Sequence, residues 1–269
     1  MGRPMAIDIF FNDDNMKKPV VIYAHGFNGF KDWGGCDLIA DEFANAGFVL
    51  VKFNFSHNGT TPGQPEEFAD LEAFGNNNYS KELNDLQLIT DWVCDVANPY
   101  NSALDINNIY LIGHSMGGGI SILFAAEDNR IKKLTTWAAI SECKTPWGGW
   151  PQERMKEWLL KGVQYYKNTR TAQQLPLYYQ LYLDYKENEM RLSIEKAIKK
   201  LTIPILICHG ISDISVPVES AYHLKEWQPA AELFTLDCNH VFDRVHPWEK
   251  EYLPEAMDIV LQKTISFFK

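Results

Sequence analysis

A serine in a glycine-flanked turn is the first feature of this sequence that could do chemistry. Residues 113–117 read GHSMG and fit the pattern G-x-S-x-G around Ser115. An apolar, strand-like run at 109–112 precedes the pattern, and an apolar, helix-like run follows it from about 117 to 127. Such a turn holds the serine hydroxyl above the edge of a sheet, and the helix N-terminus beneath it favours negative charge. We therefore predict that Ser115 is a nucleophile and that the backbone N–H of Met116 points at a bound carbonyl.

The elements that must position this serine alternate along the chain. Strands are predicted at 20–24, 48–55, 109–112, 134–140, 204–208 and 232–236. Helices are predicted at 37–46, at 80–93 with Ser80 as its cap, and at 117–127, 217–227 and 255–268. Unbroken apolar strands that alternate with helices predict an α/β fold with a mostly parallel central sheet and helices on both faces.

One long interval interrupts this alternation. A crossover between parallel strands needs only about a dozen residues, but residues 142–201 are longer and contain helix-like stretches at 152–166 and 188–200. We predict that residues 1–141 and 202–269 form the core and that residues 142–201 form a helical cap insertion. The expected position of the cap is over the carboxyl ends of the strands, where open α/β sheets bind ligands.

Four motifs, in this order, resemble those of a known family: HGFNGF at 25–30, GHSMGG at 113–118, HGISDISVP at 209–217 and NHVF at 239–242. On these motifs the chain resembles the α/β-hydrolase superfamily over nearly its whole length. It is most similar to bacterial dienelactone-hydrolase-like and prolyl-oligopeptidase-like serine hydrolases, including cinnamoyl and feruloyl esterases. True dienelactone hydrolases have a cysteine where this chain has Ser115, so we do not expect that specific activity.

The resemblance implies a catalytic triad in the chain order serine, acid, histidine. Four histidines follow Ser115, and His240 lies in the loop where the family places its base, with His246 as the alternative. Asp213 follows a predicted strand, lies 27 residues before His240 and is the predicted acid. Asp237 and Asp243 flank the histidine in sequence, and we expect both to be solvated loop carboxylates.

The resemblance also implies an oxyanion hole built from two backbone N–H groups. The H-G-x motif of the family fits residues 25–27, so we predict that the N–H of Phe27 is paired with that of Met116, with Asn28 as the alternative donor. The side chain of Phe27 is then expected to line the acyl pocket. His25 is expected to be a structural hydrogen-bonding residue.

Aromatic side chains are concentrated in the predicted cap. Nine of them occur between Trp147 and Tyr185, and small-molecule sites are commonly apolar with a few polar groups. On this basis Trp147, Trp150, Tyr178 and Tyr179 are predicted to contact substrate. The alternative is that these rings bury the cap against the core.

Composition limits the partners. The chain has 35 acidic and 25 basic side chains and a net charge of -10, whereas nucleic-acid binding requires a basic face. The uncharged stretch 106–126 is interrupted by polar residues and glycines, so we expect no membrane span. Five cysteines without CxxC spacing, and no signal peptide at the start of the sequence, predict a cytoplasmic location. No zinc spacing, P-loop or dinucleotide fingerprint is present, so neither metal nor cofactor is expected.

Together these features predict a serine hydrolase that cleaves small carboxylic esters through an acyl-enzyme, with aromatic acyl groups among the candidates. An aminopeptidase or acyltransferase of the same fold, or a non-catalytic ligand-binding member, are the alternatives. The identity of the acyl and leaving groups stays open. The sequence neither requires nor excludes a homo-oligomer.

Overall fold

A seven-stranded sheet forms the centre of the computed structural model, which describes residues 3–269. The strands are β1 (Ile7–Phe10), β2 (Lys18–Ala24), β3 (Val49–Phe53), β4 (Leu104–His114), β5 (Ile131–Trp137), β6 (Val163–Lys167), β7 (Gln174–Tyr178), β8 (Ile205–Gly210) and β9 (Glu232–Leu236). The helices are α1 (Cys36–Asn45), α2 (Leu71–Gly75), α3 (Tyr79–Cys94), α4 (Met116–Glu127), α5 (Gln152–Lys161), α6 (Gln180–Glu187), α7 (Ile194–Lys200), α8 (Glu219–Trp227) and α9 (Glu255–Phe268).

The central sheet has the order β1-β3-β2-β4-β5-β8-β9. All neighbouring pairs are parallel except β1 and β3, which are antiparallel. The predicted fold class is therefore confirmed. Strand β1 was not predicted; it is a four-residue edge strand and only partly buried, so it lacks a continuous apolar run.

Helices cover both faces of the sheet because successive side chains of a strand point to opposite faces. In β2, Val20 and Ile22 belong to one hydrophobic core with α3, α4, α7 and α8. Val21 and Tyr23 belong to a second core with α1 and α9. None of the helices in residues 3–269 is long and apolar enough to cross a lipid bilayer.

The segment that was predicted to be a helical cap is not all helical. It contains α5, an antiparallel hairpin of β6 and β7, and then α6 and α7. The predicted helix over 152–166 ends at Lys161, because Gly162 takes a left-handed conformation (φ 72°) and the chain turns into β6. Helix α7 packs against α4 and α8 of the core, so it acts as the crossover helix between β5 and β8.

The start of one helix and the start of one strand also differ from the prediction. Helix α3 is capped by Asn78, whose side-chain oxygen accepts a hydrogen bond from the N–H of Lys81 at 2.9 Å, and not by Ser80. Strand β5 begins at Ile131, before the apolar run, because pairing with β4 already starts there.

Candidate active site

Ser115 occupies a strained turn between β4 and α4. It has φ 55° and ψ -120°, an unusual backbone conformation for a residue with a side chain. The two flanking glycines permit this turn, since an added Cβ at Gly117 would lie 2.3 Å from the carbonyl oxygen of His25. A Cβ at Gly113 would lie 2.4 Å from the carbonyl oxygen of Gly117. The turn predicted from the motif is therefore present, and Ser115 lines a large cavity at its tip.

His240 and Asp213 lie in contact at the same end of the sheet. Asp213 follows β8, His240 follows β9, and Nδ1 of the imidazole is 2.7 Å from Oδ2 of the carboxylate. The other carboxylate oxygen, Oδ1, accepts hydrogen bonds from the N–H groups of Ser215 and Val216 at 2.8 and 2.9 Å. The Asp213 side chain is fully buried, and the His240 ring lines the cavity together with Ser115.

The hydrogen bonds to Asp213 determine its charge. Burial alone would raise the pKa of this carboxyl group, but the contacts with His209, His240 and Val216 outweigh burial and hold the pKa well below its usual range. An ionised Asp213 accepts a hydrogen bond from Nδ1–H of His240. Nε2 of His240 is then the unprotonated nitrogen, which is the state that a general base needs.

Two further histidines hold the acid and the base in place. Nε2 of His209 lies 2.8 Å from the carbonyl oxygen of Val216 and 3.3 Å from Oδ2 of Asp213. Nε2–H of His114 donates to the backbone carbonyl of His240 at 3.0 Å. Burial, followed by the positive charge that His240 can carry, lowers the pKa of His114 well below its usual value. His114 is therefore neutral and fixes the backbone of His240.

The alternatives to His240 and Asp213 are held by other contacts, although His246 lines the same cavity and its Nε2 lies 3.6 Å from the carboxylate of Glu66. Nδ1 of His246 accepts a hydrogen bond from the N–H of Gly34 at 3.2 Å, and the ring stacks against Trp33. His246 therefore has no carboxylate at the nitrogen that an orienting acid would occupy. Asp237 is exposed and accepts a hydrogen bond from the hydroxyl of Ser212 at 2.6 Å, as expected for a loop carboxylate.

The loop at 25–30 passes directly over Ser115. A Cβ added at Gly26 would lie 2.8 Å from the Cβ of Ser115. Burial lowers the pKa of His25 to about 4. The neutral ring donates from Nδ1 to the carbonyl of Gly26 at 2.9 Å and accepts at Nε2 from the N–H of Phe55 at 3.3 Å. His25 thus shapes the loop, as predicted for a structural residue.

The loop and the start of helix α4 contain backbone N–H groups that make no hydrogen bond, and in the loop these include the N–H of Asn28, the alternative donor, within residues 3–269. Within residues 3–269, the N–H groups of Phe27 and Met116 make no hydrogen bond. Phe27 is the residue after the glycine that touches Ser115, and Met116 is the first residue of α4. The oxyanion hole of Phe27 and Met116 stays a prediction.

A sequence family and several solved structures are similar to this chain. The sequence profile of the alpha/beta hydrolase fold family matches residues 19–175.

The chain belongs to the α/β-hydrolase family.

A putative hydrolase from Agrobacterium vitis S4 is similar in fold to this α/β hydrolase, with a TM-score of 0.73, 17% identity and coverage of 98% of this chain and 93% of the other. Est1E from Butyrivibrio proteoclasticus gives a TM-score of 0.69 at 18% identity, with 98% and 92% covered. In sequence, 126 residues are 26% identical to the quorum-quenching protein AidA of Acinetobacter baumannii (strain MDR-ZJ06). That match covers 46% of this chain and only 35% of the length of AidA.

The cavity of this α/β hydrolase has a volume of about 1240 Å³ and is lined by residues that the motifs did not indicate. Those with aromatic or charged side chains are Tyr23, Phe30, Trp33, Glu142, Lys144, Tyr166, Arg170, Glu219, His223, Trp227, Arg244 and His246. Most lie on loops, so no periodic pattern marks them in the sequence. No group of three or more histidine, cysteine, aspartate or glutamate side chains in residues 3–269 is arranged to hold a metal ion.

The four aromatic residues predicted to contact substrate do not line this cavity. Trp147 and Tyr179 pack against Trp158, which is fully buried, at ring-centroid distances of 5.9 and 5.4 Å. Trp150 packs on the same ring, and the hydroxyl of Tyr178 donates to Glu72 at 2.6 Å. This part of the prediction is corrected: Trp147, Trp150 and Tyr179 surround Trp158 in a hydrophobic core that the inserted segment shares with the sheet, where Trp147 also packs on Tyr79 of α3 at 5.9 Å. Tyr178 lies outside this group, against α2.

Proposed function

We propose that this α/β hydrolase cleaves small carboxylic esters, with Ser115 as nucleophile, His240 as general base and Asp213 as the orienting acid. The observation that carries the proposal is the 2.7 Å contact between His240 and a buried, ionised Asp213, beside a cavity that also contains Ser115 on its strained turn. Serine, base and acid side chains that converge at one cavity are the signature of nucleophilic catalysis.

The proposed reaction has two halves. Oγ of Ser115 attacks the ester carbonyl carbon while Nε2 of His240 takes the hydroxyl proton. The tetrahedral oxyanion accepts hydrogen bonds from the N–H groups of Phe27 and Met116, each of which typically contributes about 3 kcal/mol. His240 then gives the proton to the leaving alcohol, and the acyl group stays on Ser115. Water attacks the acyl-enzyme, with His240 again as base, and the carboxylic acid is released.

We further propose that aromatic acyl groups are accepted. Phe27, next to the proposed oxyanion site, packs edge-on against Tyr166 of the inserted segment at 5.2 Å, and both rings line the cavity. A substrate ring bound in the cavity against this pair would gain aromatic contacts beyond area burial. Est1E, a protein of similar fold, has been solved with ferulic acid bound. This supports the aromatic assignment only as an analogy of fold.

A fluorophosphonate probe tests the nucleophile. We expect the probe to label the wild-type protein and not the Ser115→Ala variant. Ser141→Ala is a matched control, since Ser141 lines the same cavity outside the turn. Labelling that survives in Ser115→Ala would overturn the assignment. A panel of 4-nitrophenyl and aromatic acyl esters, with a peptide amide included, then tests the substrate class.

A further inference from the structure

Two arginines lie on one side of the cavity without a carboxylate partner. The chain has a net charge of -10, so carboxylates are abundant, and Arg130 and Arg191 are ion-paired with them. Arg170 and Arg244, which line the cavity, form no ion pair within residues 3–269. The carboxylate of Glu66 also lies at this end, with Oε2 3.6 Å from Nε2 of His246, but it forms no ion pair with either arginine. The two arginines therefore carry their positive charge here without a paired carboxylate.

Arg244 is the buried member of the pair. It is 2% exposed, its Nε donates to the carbonyl of Val241 at 3.1 Å, and its guanidinium lies 5.4 Å from the ring of Trp33. Both terminal nitrogens are buried and, within residues 3–269, no acceptor meets them with good hydrogen-bond geometry, although the hydroxyl of Tyr23 lies close to them. Burial raises the pKa of the adjacent Tyr23 to about 12, so this phenol is neutral and does not supply a negative charge. A buried guanidinium without an anion is costly.

Arg170 is the accessible member. It lies in the loop between β6 and β7, its guanidinium is 5.7 Å from the ring of Phe30, and its protein acceptor is the carbonyl of Glu66 at 3.4 Å. The same loop is anchored to the core, because the amide of Asn168 donates to the side chain of Asn28 at 3.0 Å. The exposed guanidinium therefore belongs to an anchored segment at the cavity rim.

The carboxylates of the cavity wall lie on other segments. Glu142 and Glu219 come from the loop after β5 and the start of α8, and these segments meet where the hydroxyls of Ser141 and Ser220 are 3.3 Å apart. Glu142 is already paired with Lys144 at 2.8 Å. Neither carboxylate forms an ion pair with Arg170 or Arg244.

We infer that this end of the cavity, which we call the cationic subsite and define by Arg170 and Arg244, binds a carboxylate carried by the ester substrate. Arg170 would donate hydrogen bonds to it directly, and the charge of Arg244 would act from the wall, where screening by water is weak. The inference rests on the proposed esterase function and narrows it. The substrates would be monoesters of dicarboxylic acids, or esters whose alcohol carries a carboxylate.

Matched substrate pairs test the cationic subsite. Mono-(4-nitrophenyl) adipate is compared with its methyl ester, and 4-acetoxybenzoate with its methyl ester, so that only the remote charge differs within a pair. We expect kcat/KM to favour the anion by about ten-fold or more in at least one pair, the range for hydrogen bonds to a charged group. The preference should shrink as salt is added. No preference in either pair would overturn the inference.

The variant that tests the subsite is Arg170→Gln. The side chain of Arg170 is exposed, so replacing it leaves the core intact. We expect the preference for the anion to fall to near one in this variant. Arg154→Gln is the matched control: its guanidinium also lies over a ring, that of Trp150 at 3.7 Å, but it does not line the cavity. A preference that survives in Arg170→Gln, or falls equally in Arg154→Gln, would contradict the assignment.

A binding measurement separates failure of this inference from failure of the proposed function. The same ester pairs are titrated calorimetrically into Ser115→Ala protein, where no turnover is needed. Tighter binding of the anion, lost in the Ser115→Ala, Arg170→Gln double variant, supports the subsite even if no ester is hydrolysed. Equal binding of anion and methyl ester refutes the subsite, whether or not the wild-type protein is an esterase.

Discussion

Replacing Asp213 by asparagine tests the charge relationship at the centre of the proposed site. Oδ1 of Asp213 accepts two backbone N–H groups, from Ser215 and Val216, so in Asp213→Asn the amide oxygen must stay there. The amide NH₂ then takes the place of Oδ2, 2.7 Å from Nδ1 of His240. A hydrogen-bond donor at this point requires an unprotonated Nδ1 as its acceptor. The ring proton of His240 must therefore lie on Nε2.

This tautomer cannot take a proton from Ser115, and the carboxylate that would stabilise the charged imidazole is also gone. We expect kcat to fall by about 10³- to 10⁴-fold, the size of effect known for this exchange in a serine protease triad, with a smaller change in KM. The assay is steady-state hydrolysis of a 4-nitrophenyl ester, with thermal unfolding measured on the same samples.

Asp237→Asn is the matched control, because Asp237 is three residues from His240 but exposed and bound only to the hydroxyl of Ser212. It should keep activity close to wild type. The reasoning would be refuted if a folded Asp213→Asn protein stayed within ten-fold of wild-type kcat. It would also be refuted if the two variants lost activity equally.

Three other changes have defined outcomes. Gly26→Ala places a Cβ 2.8 Å from that of Ser115, so kcat/KM measured on folded protein should fall by about 100-fold, and near wild-type turnover would contradict the close approach. Burial raises the pKa of Glu82 to about 8, so as pH rises from about 4.3 the unfolded chain releases a proton that the folded chain keeps. Denaturation at several pH values should show Glu82 lowering stability by up to about 1.4 kcal/mol per pH unit until about pH 8. Burial also raises the pKa of Asp85 to about 6, so Glu82→Gln should remove the slope between about pH 6 and pH 8 and leave part of it at lower pH. Trp147→Leu should lower the unfolding free energy by about 2 kcal/mol and leave unchanged the ratio of kcat/KM for aromatic esters to kcat/KM for acetyl esters. Tyr166→Leu should lower this ratio by roughly five-fold. The reverse pattern would restore Trp147 as a substrate-binding residue.

The fold and the nucleophile turn followed from local features of the sequence, and the acid and base from its resemblance to a family. Apolar strands such as β2 and β8 are buried on both faces, so their composition alone marks a parallel sheet. The strained turn at Ser115 needs glycines on both sides, and this requirement is visible as a five-residue pattern. Asp213 and His240 were predicted from the motif order of the α/β-hydrolase family, and the sheet brings them together because parallel strands end at one edge, with Asp213 after β8 and His240 after β9.

Tertiary structure decided which aromatic side chains of the inserted segment line the cavity and which are packed away from it. Its aromatic residues are conspicuous in the sequence, but composition does not reveal which way a ring points. Trp147 and Tyr179 turned out to surround Trp158, and the rings near Ser115 are Phe27 and Tyr166. Helix 152–166 was predicted too long because one left-handed glycine, followed by hairpin pairing, overrides local helix preference.

The cationic subsite is the strongest example of what the sequence could not indicate. Arg170 and Arg244 are 74 positions apart and lie in loops with no periodic pattern, in a chain whose overall charge is negative. Only folding brings them to one cavity wall and leaves both without a carboxylate. Charge pairing depends on distances between remote side chains, and those distances are set by how the hairpin of β6 and β7 and the loop after β9 pack on the core.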